Sequence, residues 1–270
     1  MALTDPNPPR RTTLSVALIT QDEEANLPRA LQSLRRADEV VIVDSGSKDA
    51  TLEIARLFSA RVFEEPWKGY AAQKNSSITH CTGDWILSLD ADEEVAPELA
   101  LEIEKVLAGE PPFAAYRIPR LNHFLGRPLR HGGYWPDHKL RLFRHGAAHF
   151  AERPVHETLE TDGPVGTLTA PLIHNCYSTL EEYIEHMNRY STLGGCVAAA
   201  HGKNGRSLAG FLGGVLLNPA ATFLYNYLLR LGFLDGREGL LMHLNHSVYI
   251  HWKYVKAWQA GQCHRERSGK

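Results

Sequence analysis

The sequence carries only four cysteines, and Cys81, Cys176, Cys196 and Cys263 form no Cys-x-x-Cys pair. That spacing argues against a zinc ribbon or a disulfide scaffold and fits a reducing compartment. Net charge is also scarce. The 29 Lys and Arg stand against 31 Asp and Glu, a formal −2, so no global basic field exists to gather nucleic acid, and no nucleic-acid partner is expected. Neither G-x-G-x-x-G nor G-x-x-x-x-G-K-[ST] occurs, which disfavours a Rossmann dehydrogenase and a P-loop NTPase. No apolar run follows residues 1–13, a stretch with Pro6, Pro8, Pro9, Arg10 and Arg11; it reads as a short disordered lead, not a secretory signal. Internal repeats are missing too.

What is present is an ordinary hydrophobic content of 43%, which excludes a disordered chain and suffices for one large domain with an elaboration. Short β-rich runs alternate with helical patterns through the first hundred residues, the signature of a parallel sheet with crossover helices. Leu14–Thr20, Glu39–Asp44, Arg61–Phe63 and Asp84–Leu89 read as strands. Leu27, Ala30, Leu31 and Leu34 recur at helical spacing, as do Ile54, Ala55, Leu57 and Phe58. Further helices are expected through Ala71–Thr79 and, from Pro97, over Leu99–Leu107. Between Phe113 and Pro171 the pattern becomes mixed, with short strands AAYRI, KLRLF and VGTL.

The last third is helical. Leu180, Tyr183, Ile184, Met187 and Tyr190 follow helical spacing behind a capping region at Thr179–Glu182. Ser207–Leu229 then carries no charged residue, a length that matches a membrane span. Gly210, Gly213, Gly214, Asn218, Pro219 and Asn226 are expected to break that helix, leaving a span, an interfacial hairpin, a buried helix or a packed tail as readings. Arg206, Arg230, Tyr249, Trp252, Lys253, Tyr254, Lys256 and Trp258 resemble interface anchors.

Asp90 and Asp92 stand where an apolar strand meets a loop. In open α/β sheets ligands collect beyond the carboxyl ends of strands, so this D-A-D faces a crevice, and a hard cation such as Mg²⁺ or Mn²⁺ binds such oxygens while keeping positions for substrate phosphates. D-x-D alone is common. Asp22–Glu24 and Asp44 add further acidic strand ends on the same predicted edge. Asp44 can meet the ribose or base of a nucleotide; the alternative is an Asx turn or a helix cap supplied by Ser47 or Asp49.

Together SVALITQDEEANL, VVIVDSGSKDAT, the Q-K-N of Gln73–Asn75 and WILSLDADEE resemble the family 2 glycosyltransferases of the GT-A fold, over residues 14 to about 110. The resemblance implies an α/β, Rossmann-like mixed sheet, a nucleotide-diphosphate sugar donor, a divalent metal and inversion at the anomeric carbon. Thr20, Gln21, Glu23 and Asp44 then fall at nucleotide-contacting positions, Lys74 at a basic position near the diphosphate (or a surface lysine), and Asp90 and Asp92 at the metal and diphosphate. Many members have Tyr-Asn where this chain has Gln21 and Asp22. V-H-E ending at Glu157, YWPDHKLRLF (Tyr134–Phe143), HNCY (His174–Tyr177), GFLDG (Gly232–Gly236) and Y-V-K near the C-terminus resemble the lipopolysaccharide core glucosyltransferase subgroup and extend the match to nearly the whole chain.

An inverting transfer needs one base for the acceptor hydroxyl. Glu157 occupies the place of the family's acidic pair, with His156 as its orienting neighbour. His174 is either a third metal ligand or a structural histidine. Arg141 and Arg144 are expected to share the polar side of one strand and clamp phosphates. Trp135 could be a sugar platform or a core plug.

The expected organisation is a catalytic domain over 14–176, divided into a nucleotide-sugar half (14–110) and an acceptor half (111–176), followed by a helical extension over 177–270. The resemblance implies glucose transfer from UDP-glucose to a heptose of the lipid A-linked inner core, a lipid-linked saccharide acceptor. The enzyme would be cytoplasmic, in peripheral contact with the inner membrane through the C-terminal helices. Alternatives are a non-catalytic nucleotide-sugar-binding or membrane-scaffold protein and a sugar-phosphate nucleotidyltransferase.

Overall fold

The computed structural model describes residues 11–152, 157–203, 205 and 207–268, with side chains through residue 262. His156 and Arg206 lie outside the described residues. The chain forms two compact units: one runs up to Arg120 and resumes over Asp137–His174, the other takes Leu121–Pro136 and everything from Asn175 onward.

In the first unit β1 (Leu14–Thr20), α1 (Leu27–Ser33), β2 (Glu39–Asp44), α2 (Thr51–Leu57), β3 (Arg61–Glu64), α3 (Tyr70–Thr79) and β4 (Trp85–Ser88) alternate as expected. β1 pairs in parallel with both β2 and β4, and β2 with β3. Ala17, Leu18, Val41, Ile42, Val43, Ile86 and Leu87 are buried because helices cover both faces of these strands. The predicted stripe of α1 is fully buried, but that of α2 is only half so: Ala55 is buried and Ile54 packs against the core, whereas Leu57 is 77% and Phe58 44% exposed, and the unpredicted Thr51 is buried. The predicted lead is ordered at its end, since Thr13 donates to Asp84 through both its N–H and its hydroxyl at 2.9 Å.

After β4 come β5 (Glu93–Val95), α4 (Pro97–Ala108), with proline in its first turn, and β6 (Ala115–Phe124). Then follow β7 (Arg127–Pro128), β8 (Asp137–Arg144), β9 (His149–Ala151), β10 (Thr158–Glu160), β11 (Val165–Thr167) and β12 (Leu172–Tyr177). The main sheet runs β3-β2-β1-β4-β8-β6-β12-β5, parallel at its first four strands and antiparallel where β8 meets β4 and β6 and where β12 meets β5. β9 and β10 form a separate hairpin. Arg141 and Arg144 do not share a face. Three residues apart on β8, Arg141 is buried while Arg144 is exposed and lies over the Trp85 ring.

Cys81, just beyond the end of α3, is buried in this unit's core, its thiol pushed up to about 12 by burial and the nearby charge of Glu39. Cys196, on α5 (Leu180–Ala200) of the second unit, is exposed. In variants keeping one of these two cysteines, Ellman's reagent at pH 8 should label Cys196 in the folded protein and Cys81 only after denaturation; equal rates would contradict this burial.

The second unit begins its helical part with the expected capping box at α5: the Thr179 hydroxyl accepts from Glu182 N–H, and the Glu182 carboxylate accepts from Thr179 N–H. The uncharged segment is not broken. Leu208–Leu229 is helical throughout, as α6 (Leu208–Leu212), a π turn over Gly213–Leu217, α7 (Asn218–Leu224) and a second π turn over Tyr225–Leu229. Pro219 has no N–H to give the carbonyl of Val215, and His251 Nδ1 on α8 (Gly236–Ser268) satisfies that oxygen at 2.9 Å. The π turn and the neighbouring helix together accommodate the proline. Buried residues of the segment are Val215 and Pro219, and Leu208, Leu216, Leu217, Leu224 and Leu229 are exposed.

Several expected interface anchors instead join helices. Lys256 Nζ donates to Asn188, Ser191 and Thr192 on α5 at 2.7–2.8 Å, Tyr254 OH accepts from Asn218, and Trp258 packs edge-on to Phe211. A compact core of Phe124, Leu129, Tyr183 and Met242 closes this unit. Beside it Gly132, at φ +66°, faces the buried His243: a Cβ there would lie 2.1 Å from the imidazole. Gly132→Ala should therefore destabilise the protein by about 1–3 kcal/mol, read as a lower denaturation midpoint.

Candidate active site

The loop between β4 and β5 carries Asp90 and Asp92. Its turn is closed from both ends, since Asp90 N–H donates to the Glu93 carboxylate at 3.0 Å and Glu93 N–H to the Asp90 carbonyl at 3.0 Å. Asp90 then meets two cations. Lys74 Nζ lies 2.7 Å from its Oδ1, and Arg141 Nη2 lies 2.5 Å from its Oδ2. Burial works against charge on Asp90, but the Arg141 guanidinium and the Lys74 ammonium outweigh it and hold the carboxyl well below the usual range.

Lys74 is no surface lysine. α3 turns Ala71, Gln73, Lys74 and Ser77 inward, and Nζ reaches Glu157 Oε1 at 2.9 Å as well as Asp90. Burial disfavours its charge, yet the attraction of Asp90 and, after the opposing Arg141, of Glu157 leaves its pKa raised. The next residue positions Glu157. Asn75 Nδ2 donates to the Phe150 carbonyl and Asn75 Oδ1 accepts Phe150 N–H, both at 2.8 Å. The amide thus clasps β9, whose hairpin with β10 bears Glu157 immediately before Thr158. Sequence spacing of 83 residues between Lys74 and Glu157 collapses to one hydrogen bond.

β12 pairs with β5 so that His174 stands opposite Glu93, and His174 Nε2 lies 3.1 Å from Asp92 Oδ2. Of the three proposed metal ligands the structure brings Asp92 and His174 together, while Asp90 is directed to Lys74 and Arg141. No group of three or more His, Cys, Asp or Glu among the described residues is placed to hold a metal. The donor pair nevertheless suits a divalent cation that takes its remaining ligands from a diphosphate. The Glu23 carboxyl is pushed up by burial and then by the negative charges of Asp92, Asp49 and Asp90, against a hydrogen bond from Asn26.

Thr20 and Asp44 are both occupied. The fully buried Asp44 accepts from Thr20 Oγ1 at 2.8 Å, from Gly46 and Ser47 N–H at 2.9 and 2.8 Å, and from Ser47 Oγ at 2.5 Å. Its acceptor sites hold the turn after β2, the Asx-turn reading. Ser47, Asp49 and Thr51 in turn bind the backbone of Asp22, Glu24 and Glu23, so the loops after the two neighbouring strands form one edge. Gln21 is exposed on it.

Sequence reasoning missed Glu93 and Arg120. Glu93 is fully buried, bonded to Arg141 Nη2 at 2.7 Å and 3.5 Å from Arg120 Nη1, while Arg120 also holds Asp137 at 2.8 Å. Arg141 is therefore a strut between Asp90 and Glu93, not an exposed phosphate clamp. The available signal was an arginine on each of two apolar strands, which calls for buried carboxylates.

Residues 15–150 match the model of the family described as Glycosyl transferase family 2. A lipopolysaccharide core biosynthesis glycosyltransferase, LpsC, of Rhizobium meliloti (strain 1021) is 30% identical over 258 residues, covering 91% of this chain and 92% of LpsC. An uncharacterized glycosyltransferase of Rickettsia bellii (strain RML369-C) is 35% identical over 191 residues, 66% of this chain and 65% of its own. Among solved structures, the mannosyltransferase PcManGT of Pyrobaculum calidifontis, in complex with GDP-Man and Mn²⁺, superposes with a TM-score of 0.53 at 17% identity, covering 93% of this chain and 88% of that one. The sheet is that of the GT-A fold.

Proposed function

Because the chain belongs to glycosyl transferase family 2, we propose that it is a metal-dependent inverting transferase moving a hexose, glucose from UDP-glucose, onto a heptose of a lipid-linked lipopolysaccharide inner core. The observation that carries the reading is Lys74, whose one ammonium touches both Asp90 on the donor loop and Glu157 on the hairpin. A carboxylate fixed beside the donor loop is what a single-displacement transfer requires.

In this mechanism Glu157 takes the proton of the acceptor hydroxyl as its oxygen attacks the anomeric carbon. The bond to the diphosphate breaks on the opposite face, inverting the centre. Lys74 holds Glu157 in place by a hydrogen bond and lends positive charge beside the diphosphate. Asp92 and His174 would hold Mg²⁺ or Mn²⁺, which when bound neutralises charge developing on the leaving nucleoside diphosphate. Asp90 keeps the ammonium and the guanidinium at the donor side, and Glu23 and Gln21 line the nucleotide edge. Peripheral contact with the cytoplasmic face of the inner membrane through Leu208–Leu229 would bring the enzyme to a lipid-linked acceptor.

A thermal-shift screen of nucleotide sugars with Mn²⁺ tests the donor, because a ligand bound only by the folded state raises Tm. UDP-glucose should give the largest rise and Asp92→Ala should abolish its Mn²⁺ dependence. A larger rise with another nucleotide sugar would replace the donor, and a rise indifferent to Mn²⁺ would remove the metal.

A further inference from the structure

The second unit presents a cationic loop at the end of its apolar helix. Asp235, 4% exposed, accepts from the backbone N–H of Arg130 and His131 at 3.2 and 2.9 Å, and lies 2.7 Å from His131 Nδ1. It is thereby committed to holding residues 130–131. Gly132 N–H donates to the Arg230 carbonyl at 2.8 Å. Gly133, at φ +92°, leaves room for the Arg230 guanidinium against the loop backbone, since a Cβ there would lie 2.1 Å from Nη1. The loop therefore carries Arg130 and touches Arg230.

Both arginines are exposed residues, and each guanidinium is supported by an aromatic ring. Arg130 Cζ lies 5.7 Å from the Trp135 ring centroid and Arg230 Cζ 5.9 Å from that of Tyr225. The ion pairs formed around this loop among the described residues are Arg127–Glu238 and His131–Asp235, so neither Arg130 nor Arg230 has a carboxylate partner. Isolated exposed arginines are ordinarily just solvated. These two are held in place on rings, and Arg230 directly follows a helix whose end exposes Leu228 (49%) and Leu229 (75%), with Phe233 and Leu234 exposed just beyond. A planar guanidinium matches a phosphate with two parallel hydrogen bonds, and apolar side chains flanked by aromatics and arginines match the headgroup boundary of a bilayer.

We propose that Arg130 and Arg230 form a phosphate-binding rim that seats this end of the apolar helix on anionic phospholipid headgroups, with Leu229 and Phe233 entering the acyl boundary. The inference rests on the membrane contact proposed above and adds to it a headgroup preference and the residues that read it. The occupant is a bilayer surface. The apolar residues supply contact with any bilayer, and the two guanidiniums supply the charge preference.

Co-sedimentation of the full chain with vesicles of phosphatidylcholine alone, or of phosphatidylcholine with phosphatidylglycerol, tests it. Two arginines near a charged surface should favour the anionic vesicles by about 30-fold in partition coefficient. The double variant R130Q/R230Q, checked for an unchanged Tm, should fall to the neutral-vesicle value, and R130K/R230K should keep most of the preference because charge remains. Retained preference in the Gln variant would overturn the proposal. Equal binding to both vesicles in the wild type would remove the rim and leave the membrane contact standing. Absence of binding to either would remove both, and a concentration-dependent dimer in that case would identify the apolar face as a self-interface. If inorganic phosphate raised the Tm of the wild type but not of the Gln variant while vesicles failed to bind, the rim would serve a soluble phosphate and the bilayer assignment would fall.

Discussion

Glu157→Gln should lower kcat for sugar transfer by about 10²- to 10⁴-fold, the range for removing a positioned general base. The amide keeps the shape of the carboxylate and can still accept from Lys74 Nζ, which lies 2.9 Å from Glu157 Oε1. It cannot take a proton from the acceptor. Donor affinity, measured by calorimetry with UDP-glucose and Mn²⁺, should therefore stay near that of the wild type while single-turnover transfer collapses. Full turnover in the Gln variant would assign the base elsewhere. A parallel loss of donor affinity would instead mean that the hairpin had moved.

Arg141→Met should cost about 3–5 kcal/mol of stability, seen as a lower urea midpoint, because it strips a buried cation from two carboxylates. Glu93 is fully buried and would keep only Arg120, at 3.5 Å. Asp90 would keep Lys74. Met fills much of the vacated volume, so the cost measures the charge and not a cavity. Arg144→Met is the control: Arg144 is exposed, its guanidinium lies 4.8 Å over the Trp85 ring and donates to the Pro111 carbonyl at 2.8 Å, and losing it leaves no buried carboxylate unpaired and should cost about 1 kcal/mol. Equal effects would mean that the two arginines share a role, as a spacing-blind reading of the strand suggests.

The comparison of expectation with structure follows the range of the forces involved. β1, β2, the Pro97 helix and the Thr179 capping box are set by neighbours within a few residues, and all were legible. β5, β9 and β10 are three residues each, too short to show a period-2 pattern; β5 exists through β12, about eighty residues on, while β9 and β10 exist through each other. Lys74 was misjudged as a possible surface residue because α3 buries a polar face, so hydrophobic periodicity points away from it. The helix through Pro219 was expected to break because the group that rescues the orphaned Val215 carbonyl, His251, lies 36 residues away. Arg120 and Glu93 went unnoticed for the same reason: each makes sense only beside the other.

The clasp of Asn75 on Phe150 has a chemical lifetime as well as a geometry. Asn75 is followed by Ser76, a small neighbour of the kind that permits side-chain amide hydrolysis, although helix α3 restrains the backbone. Deamidation would turn the donor that meets the Phe150 carbonyl into a second acceptor, setting oxygen against oxygen under the strand that leads to Glu157. Aged preparations of the enzyme would then lose activity with a mass gain at one peptide and no broken chain, and the wear would begin at a residue that touches neither sugar.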